Sequence, residues 1–375
     1  MTRRNIPRLK HMNISGYKSI SPRFPLSIDF GNITILLGAN GSGKSNIIGF
    51  LKMVSYMMSG NFRLFVVKAG SGQLFLHYGA KHTDVIKGQL VFDDDTTIDQ
   101  YDFELTHAAS DLLIIKSEEV SFWERNGDKR IKSVALEPNL KESALTQQTS
   151  DPGISMIRKA IAGSKVYQFH DSSVESPIRQ SCHVDNADYL QSEGNNLAAF
   201  LYRLRNNYPT NYHRIVGYIR QIMPQFNDFY LEPNDKGYVM LRWTDRSPND
   251  YVMLPAQLSD GTIRFIALAT LLLQPQATMP NVIIIDEPEL GLHPFAITQL
   301  AEMIKEASIY TQVIVATQSP GLVDEFEANQ ITIVERDEEN DTTITHKLNA
   351  EELTEWLDNY ALSELWDKNV LGGRP

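Results

Sequence analysis

The hydrophobic pattern of this chain changes period several times, and each change marks an element. Arg8 to Gly16 and Pro25 to Phe30 read as two strands joined by a turn around Ser21-Pro22. Asn32 to Leu37 is an apolar strand that runs into a Gly-rich loop. From Ser45 to Met58 the apolar residues Ile47, Ile48, Leu51, Val54, Tyr56 and Met58 recur near helical spacing. Lys87 to Phe92 and Thr97 to Leu105 alternate like antiparallel strands around an Asp-rich turn at 93–95.

The middle of the chain loses this regularity. From about Thr106 to Arg246 the pattern is irregular and includes a polar stretch, Glu137 to Pro152. Two helices stand out, Asn195 to Arg205 (apolar at Leu197, Ala198, Leu201 and Leu204) and His213 to Met223. Phe229 to Glu232 and Tyr238 to Trp243 read as strands. No heptad pattern persists, which argues against a long coiled-coil arm, so the block reads as a compact insertion.

The last third is regular again. Thr262 to Leu273 is an apolar helix, and Val282 to Asp286 is a continuous apolar run, as in a strand covered on both faces. Pro294 to Ala307 is an amphipathic helix with Pro at its start and Ile297, Leu300, Ala301, Ile304 and Ala307 on one face. Gln312 to Ala316 and Gln330 to Val334 complete the strands. Strand, helix, strand alternation is the mark of an α/β fold with a parallel sheet. The expected divisions are 1–105, an insertion at 106–249, and 250–375.

Composition narrows the function classes. The chain has 375 residues, 42% hydrophobic and 22% charged, enough for a large domain with an insertion or for two domains. A net charge of −11 denies it the broad basic surface of a general nucleic-acid binder. A local patch is still open: Arg203, Arg205, His213, Arg214 and Arg220 interleave with Tyr202, Tyr208, Tyr212 and Tyr218. This set is either a phosphate-contacting stripe for DNA or an ordinary solvated helix face. The single cysteine, Cys182, excludes an intrachain disulfide and fits a reducing compartment. No apolar run approaches the roughly 20 residues of a membrane span, and no signal-peptide core follows the basic start MTRRNIPRLK. The expectation is a cytoplasmic protein with no membrane partner.

The chemistry concentrates in three places. Gly38 to Ser45 reads GANGSGKS and fits G-x-x-x-x-G-K-[ST] between a strand and a helix. Gly41 and Gly43 let successive N–H groups turn inward toward phosphate oxygens, and the helix start adds its positive dipole end. Lys44 then reaches the β/γ-phosphates, and the Ser45 hydroxyl ligates Mg²⁺. Asp286 and Glu287 sit at the carboxyl end of a buried strand, where open α/β sheets place ligands. Asp286 suits Mg²⁺ binding through water, and Glu287 suits orienting and deprotonating an attacking water. Leu258 to Thr262, LSDGT, precedes a helix; Ser259 and Gly261 make an anion site there, or Ser259 or Asp260 simply caps the helix. An ATPase is the leading reading.

The loop GANGSGKS, then LSDG before a helix, then VIIIDEPELGLHP, then VIVATQSP together resemble the ABC-type ATPases of the SMC/RecF/OLD group. The likeness covers residues 8–105 and 250–335. It implies a P-loop NTPase head of α/β class: a mixed sheet with flanking helices and an N-terminal antiparallel part, carrying a compact α+β insertion. It further implies ATP and Mg²⁺ as cofactors. Gly38, Asn40, Gly41, Ser42, Gly43, Lys44, Ser45 and Asn46 would surround the phosphates. Lys18, in ISGYKSI, resembles the N-terminal element near the nucleotide. Asp286 and Glu287 become the Walker B pair, with Ser45 and Asp286 on the metal. Ser259 and Gly261 would reach the γ-phosphate of a second copy, closing a homodimer through an ATP sandwich. Arg264 occupies a position after the signature that is often basic in this group.

Two features depart from the pattern. The switch residue, usually His in THSP, is Gln318 in TQSP; an amide can donate a hydrogen bond but cannot be cationic, which implies slow or switch-like turnover. The metal-side glutamine of the Q-loop falls to Gln73, with His77 as rival. His293, in the D-loop-like ELGLHP, is either an interface residue or a cap.

The tail ELTEWLDNYALSELWDKNVLGGRP resembles that of stand-alone RecF/OLD-like ATPases without a fused nuclease. That likeness implies a separate TOPRIM-like nuclease partner and a role in anti-phage defence or DNA repair. Physically, Leu353, Trp356, Leu357, Tyr360, Leu362, Leu365 and Trp366 form a stripe that either packs on the body or binds a partner. The expected function is an ATP-dependent dimerising switch. The alternatives are an ATP-sensing scaffold with negligible turnover and a transporter nucleotide-binding subunit; the insertion and the ELGLHP segment argue against the latter.

Overall fold

Alternation of buried and exposed side chains sets the first layer of the fold. The computed structural model describes residues 7–93, 97–109, 111–125, 129–137, 141–147, 149–247 and 251–373. The basic start before Pro7 and the centre of the turn at 93–95 lie outside the described residues. The chain divides into two compact units, Met1–Lys165 with Glu327–Pro375, and Val166–Phe326.

In the first unit a six-stranded antiparallel sheet runs in the order Leu26–Asp29, Arg8–Ser15, Val85–Asp93, Thr97–Ala108, Leu112–Glu124, Arg130–Leu136. Its apolar face includes Met12, Ile14, Leu90, Phe92, Tyr101 and Phe103, all buried. The helix Lys44–Met58 covers part of it, with Phe50 stacked on Phe103 at 5.8 Å between ring centroids. The sheet extends past the expected break at Thr106, which lies inside a strand. The pairing register shifts opposite Glu104 and Leu105, where Lys116 is an extra residue in Leu112–Glu124. The buried positions of that strand change from Leu113 and Ile115 to Glu118, Val120 and Phe122, so the sequence there looks irregular although the ladder continues.

The same unit carries the strand that feeds the Gly-rich loop. Ile33–Leu37 is buried at every position and lies parallel to Ile331–Asp337, which turns back antiparallel to Thr342–Lys347. The C-terminal stripe splits. Leu362, Leu365 and Trp366, on the short helix Leu362–Asp367, are buried, whereas Trp356, Leu357 and Tyr360 stay exposed.

In the second unit the strands Val282–Asp286 and Gln312–Thr317 are parallel, fully buried, and linked by the helix Pro294–Ala307. The helix Asp260–Leu272 is buried from Phe265 onward. The expected helices appear as Leu197–Asn207 and Pro209–Ile222. The second begins earlier than its apolar pattern, because Pro209 takes the first helical position, where its missing N–H costs nothing. The single strand expected over Tyr238–Trp243 is two, Tyr238–Val239 and Arg242–Asp245, in different sheets. A tight turn in which Arg242 N–H donates to the Met240 carbonyl at 2.8 Å separates them. Among the described residues no helix is long and apolar enough to cross a membrane.

The split of the tail has a measurable consequence. Leu365→Ala removes a fully buried side chain and is expected to cost about 2–5 kcal/mol. Trp356→Ala, at a residue 44% exposed, should stay within about 0.5 kcal/mol of the parent in urea denaturation.

Candidate functional site

The first unit holds the phosphate loop, and two of its glycines, Gly38 and Gly43, are required by space. A Cβ on Gly38 would stand 2.1 Å from the Val334 carbonyl oxygen of the neighbouring strand. Gly43 has φ +112°, and a Cβ there would meet Thr343 Oγ1 at 2.2 Å. Lys44 opens the helix and is buried; its Nζ donates to the Gly38 carbonyl at 2.7 Å and to that of Ala39 at 2.9 Å. Ser42 Oγ is buried and has no hydrogen-bond partner among the described residues. Asn40, Gly41 and Ser45 are exposed, Ser45 in the first helical turn.

A relay of side chains braces this loop. Asn46 Nδ2 donates to Ser19 Oγ at 2.7 Å, and Thr343 Oγ1 donates to the Ser42 carbonyl at 3.1 Å. Thr343 has a single hydroxyl proton, so across the 2.8 Å contact between them Ser19 is the donor. Ser19 and Thr343 were not expected at the site: they lie 324 residues apart, and neither belongs to a motif.

Lys18 precedes Ser19 in a left-handed turn, φ +46°. Its N–H donates to the Phe75 carbonyl at 2.9 Å, and its carbonyl accepts from His77 Nδ1 at 2.7 Å. Its ammonium lies 5.5 Å from the Tyr17 ring centroid and 5.8 Å from that of Phe75, and burial pushes its pKa down. Gln73 sits in the 3-10 turn Gly72–Phe75 with its side chain exposed, while the ring of its rival His77 is engaged by Lys18.

The second unit holds the carboxylates. Asp286 ends its strand, is 5% exposed, and accepts from Gln168 Nε2 at 3.1 Å. Its backbone carbonyl accepts from His170 Nε2 at 3.0 Å. Glu287 is half-buried and left-handed, φ +45°, with its N–H donating to the Ala316 carbonyl at 2.8 Å. Such a backbone costs a non-glycine residue about 1–3 kcal/mol and recurs at functional sites.

Glu289 is a further member that the motif reading passed over. Its Oε1 accepts from Thr317 Oγ1 at 2.5 Å and from the Gln318 N–H at 3.4 Å, so it holds the backbone of the switch residue. Its Oε2 is buried without a partner among the described residues. Burial raises its pKa, against the opposing pull of the Thr317 hydroxyl. The cluster of acids in DEPE was the available signal. Gln168 and His170 had none, because their contacts to Asp286 are long-range.

Ser259 is the N-cap of the helix Asp260–Leu272; its Oγ accepts from the Thr262 N–H at 3.1 Å. A Cβ on Gly261 would stand 2.2 Å from the Gly291 carbonyl oxygen, so the signature glycine packs directly on the D-loop-like turn. Arg264 donates to the carbonyls of Phe169 (3.0 Å), His170 (2.7 Å) and Leu290 (2.9 Å). His293 caps the helix Pro294–Ala307, its Nδ1 accepting from the Phe295 N–H at 3.3 Å.

The four arginines of the two middle helices are engaged within their own unit. Arg203 donates to the Ala187 carbonyl, Arg205 pairs with Glu232, Arg214 with Glu306, and Arg220 donates to the Asn227 carbonyl. Tyr212 is buried with its hydroxyl on Asp228. These contacts favour the reading of an ordinary helix face.

Glu289 yields a prediction with a definite sign. A raised carboxyl pKa means that folding favours the protonated form, so the penalty grows as pH rises out of the ordinary carboxylate range. Glu289→Gln keeps the Oε1 acceptor and cannot ionise. Its melting temperature should exceed the parent's at about pH 8, and the gap should close toward about pH 4. A variant whose deficit relative to the parent grew as pH rose would show that the ionised form is the one the fold needs.

The sequence matches the family described as "AAA domain, putative AbiEii toxin, Type IV TA system" over residues 33–324. No curated protein matches it. Among solved structures, the SMC head bound to the C-winged helix domain of ScpA aligns with a TM-score of 0.61 at 16% identity, over 93% of this chain and 100% of that one. The Smc head domain with an extended coiled coil bound to the C-terminal domain of ScpA, derived from Pyrococcus furiosus, gives 0.57 at 14% identity, over 94% and 99%. At these identities the likeness establishes the fold, which is the P-loop ATPase head that the motifs implied. The match over most of the chain's length establishes the family: this chain belongs to the AAA domains described as putative AbiEii toxins of type IV TA systems, built on an SMC-type head.

Proposed function

We propose that this chain binds and hydrolyses ATP with Mg²⁺ and acts as an ATP-dependent dimerising switch. The observation that carries the reading is the cradle at Gly38–Ser45: glycines at 38 and 43 where a side chain would clash, a buried lysine at a helix start, and a buried Ser42 hydroxyl without a hydrogen-bond partner among the described residues. These groups fit a polyphosphate. Among the described residues no cluster of three or more His, Cys, Asp or Glu could hold a metal alone. Mg²⁺ in a nucleotide site is held by one or two protein groups together with substrate phosphates.

In this reading Lys44 exchanges the Gly38 and Ala39 carbonyls for phosphate oxygens. Ser45 and Asp286 would hold Mg²⁺, which would supply Lewis-acid stabilisation of charge on the phosphate oxygens. Glu287 takes the proton of the attacking water, and Gln318, anchored through Glu289, donates to the γ-phosphate. Ser259 and Gly261 serve the nucleotide of a second copy. Gln73 is the proposed further metal-side group. For the output of the switch we favour a nuclease partner acting on DNA, in defence or repair.

A second reading, an ATP-sensing scaffold with negligible turnover, draws on the uncharged Gln318. Two variants separate the readings. Lys44→Ala should weaken ATP binding by roughly 30-fold or more, from loss of a charge-assisted contact. Glu287→Gln should retain binding and lower turnover by about 10²–10⁴-fold, as for loss of a general base. In light scattering, Glu287→Gln should double its mass on addition of ATP and Mg²⁺. A monomer in both conditions would remove the sandwich, and parent turnover no faster than that of Glu287→Gln would favour the scaffold.

A further inference from the structure

Arg179 is a buried cation that no motif explains. It ends the 3-10 turn Pro177–Arg179 in the middle of the chain and is 5% exposed. Burying a guanidinium is costly unless its donors are satisfied, and here they converge on one short segment. Nε donates to the Ser172 carbonyl at 2.9 Å. Nη1 donates to the Pro255 carbonyl and to that of Leu258 at 3.2 Å. Nη2 donates to Asp260 Oδ1 at 2.8 Å. The last three acceptors bracket Ser259, with Leu258 before it and Asp260 after it.

From this geometry we infer that Arg179 is the positioning residue of the signature loop, holding Ser259 and Gly261 in the conformation with which they engage nucleotide. The inference rests on the proposed role of Ser259 and Gly261. The loop has little freedom of its own: Gly261 is pressed against the Gly291 carbonyl on one side, and Arg179 grips the backbone on the other. Without the guanidinium, the Pro255 and Leu258 carbonyls lose a buried donor and the loop can leave its helix. Lysine cannot replace the fork, because a single ammonium does not span acceptors spread over residues 172, 255, 258 and 260. Arg179 also ties the loop to the segment 172–179, so a displacement of that segment would withdraw Ser259 from use.

The test uses the full chain with Arg179→Met, Arg179→Lys and Ser259→Arg, and ATP with Mg²⁺ as the probe. Arg179→Met should keep ATP affinity within about twofold while kcat falls by at least about tenfold, since the loop acts after binding. Hydrogen exchange should accelerate at residues 255–263 and stay unchanged over 44–58. Arg179→Lys should fall between parent and Met, and it serves as the probe if the Met variant does not fold. Unchanged exchange at 255–263, or affinity falling as far as kcat, would overturn the inference. Ser259→Arg separates the two ideas. If it turns over normally, the nucleotide role of the signature fails, and with it the inference that Arg179 serves nucleotide engagement. If it is inactive while Arg179→Met is not, the signature role stands and the role of Arg179 fails.

Discussion

The phosphate loop depends on a shortage of space. At Gly38 the carbonyl of Val334 fills the place where a side chain would begin, and at Gly43 the hydroxyl of Thr343 does the same. Both neighbours come from strands far along the chain, and they hold the loop in one shape before any ligand arrives. Preorganisation of this kind matters because phosphate binding uses backbone N–H groups, which give nothing if the backbone must first be ordered. The relay from Asn46 through Ser19 to Thr343 and the Ser42 carbonyl adds a polar brace. The Ala39 N–H donates to the Gly373 carbonyl at 3.1 Å, so the end of the chain fastens the loop too.

What the sequence revealed follows from which interactions are local. Ile33–Leu37 and Val282–Asp286 were legible because strands buried on both faces are apolar at nearly every position, with Thr34 and Asp286 as the exceptions. The helix Pro294–Ala307 was legible because its proline and its apolar stripe are both in the text. The strands after Thr106 were hidden by a bulge that shifts the alternation by one residue. Of the site, the Gly-rich loop and the Asp286–Glu287 pair were readable as motifs. Ser19, Thr343, Gln168 and Arg179 were not, because each acts through a partner more than seventy residues away, and no spacing rule marks such a contact.

The two ends of the tail show the limits of counting apolar residues. Leu365 and Trp366 are buried, while Trp356 and Leu357, part of the same stripe, face solvent. The break comes where the helical run is interrupted between Leu357 and Leu362, so no single helix face carries all seven residues. A periodic pattern predicts burial only over the span in which the period is physically one helix.

The turn from Glu287 to Leu292 does several jobs at once. Its first residue, Glu287, is held left-handed by the Ala316 carbonyl. Glu289 anchors the Gln318 backbone, the Leu290 carbonyl accepts from Arg264, and the Gly291 carbonyl closes on Gly261. The proposed base, the switch and the signature are therefore attached to six consecutive residues of backbone. Coupling among them needs no extended pathway, because they share one short, strained element whose conformation all three must accept. The same turn bears on the role proposed for Gln318. Gln318 lacks the charge of a protonated histidine, but its N–H donates to the Glu289 carboxyl at 3.4 Å, on the turn that carries the proposed base, so in that proposal placement would offset part of the missing charge.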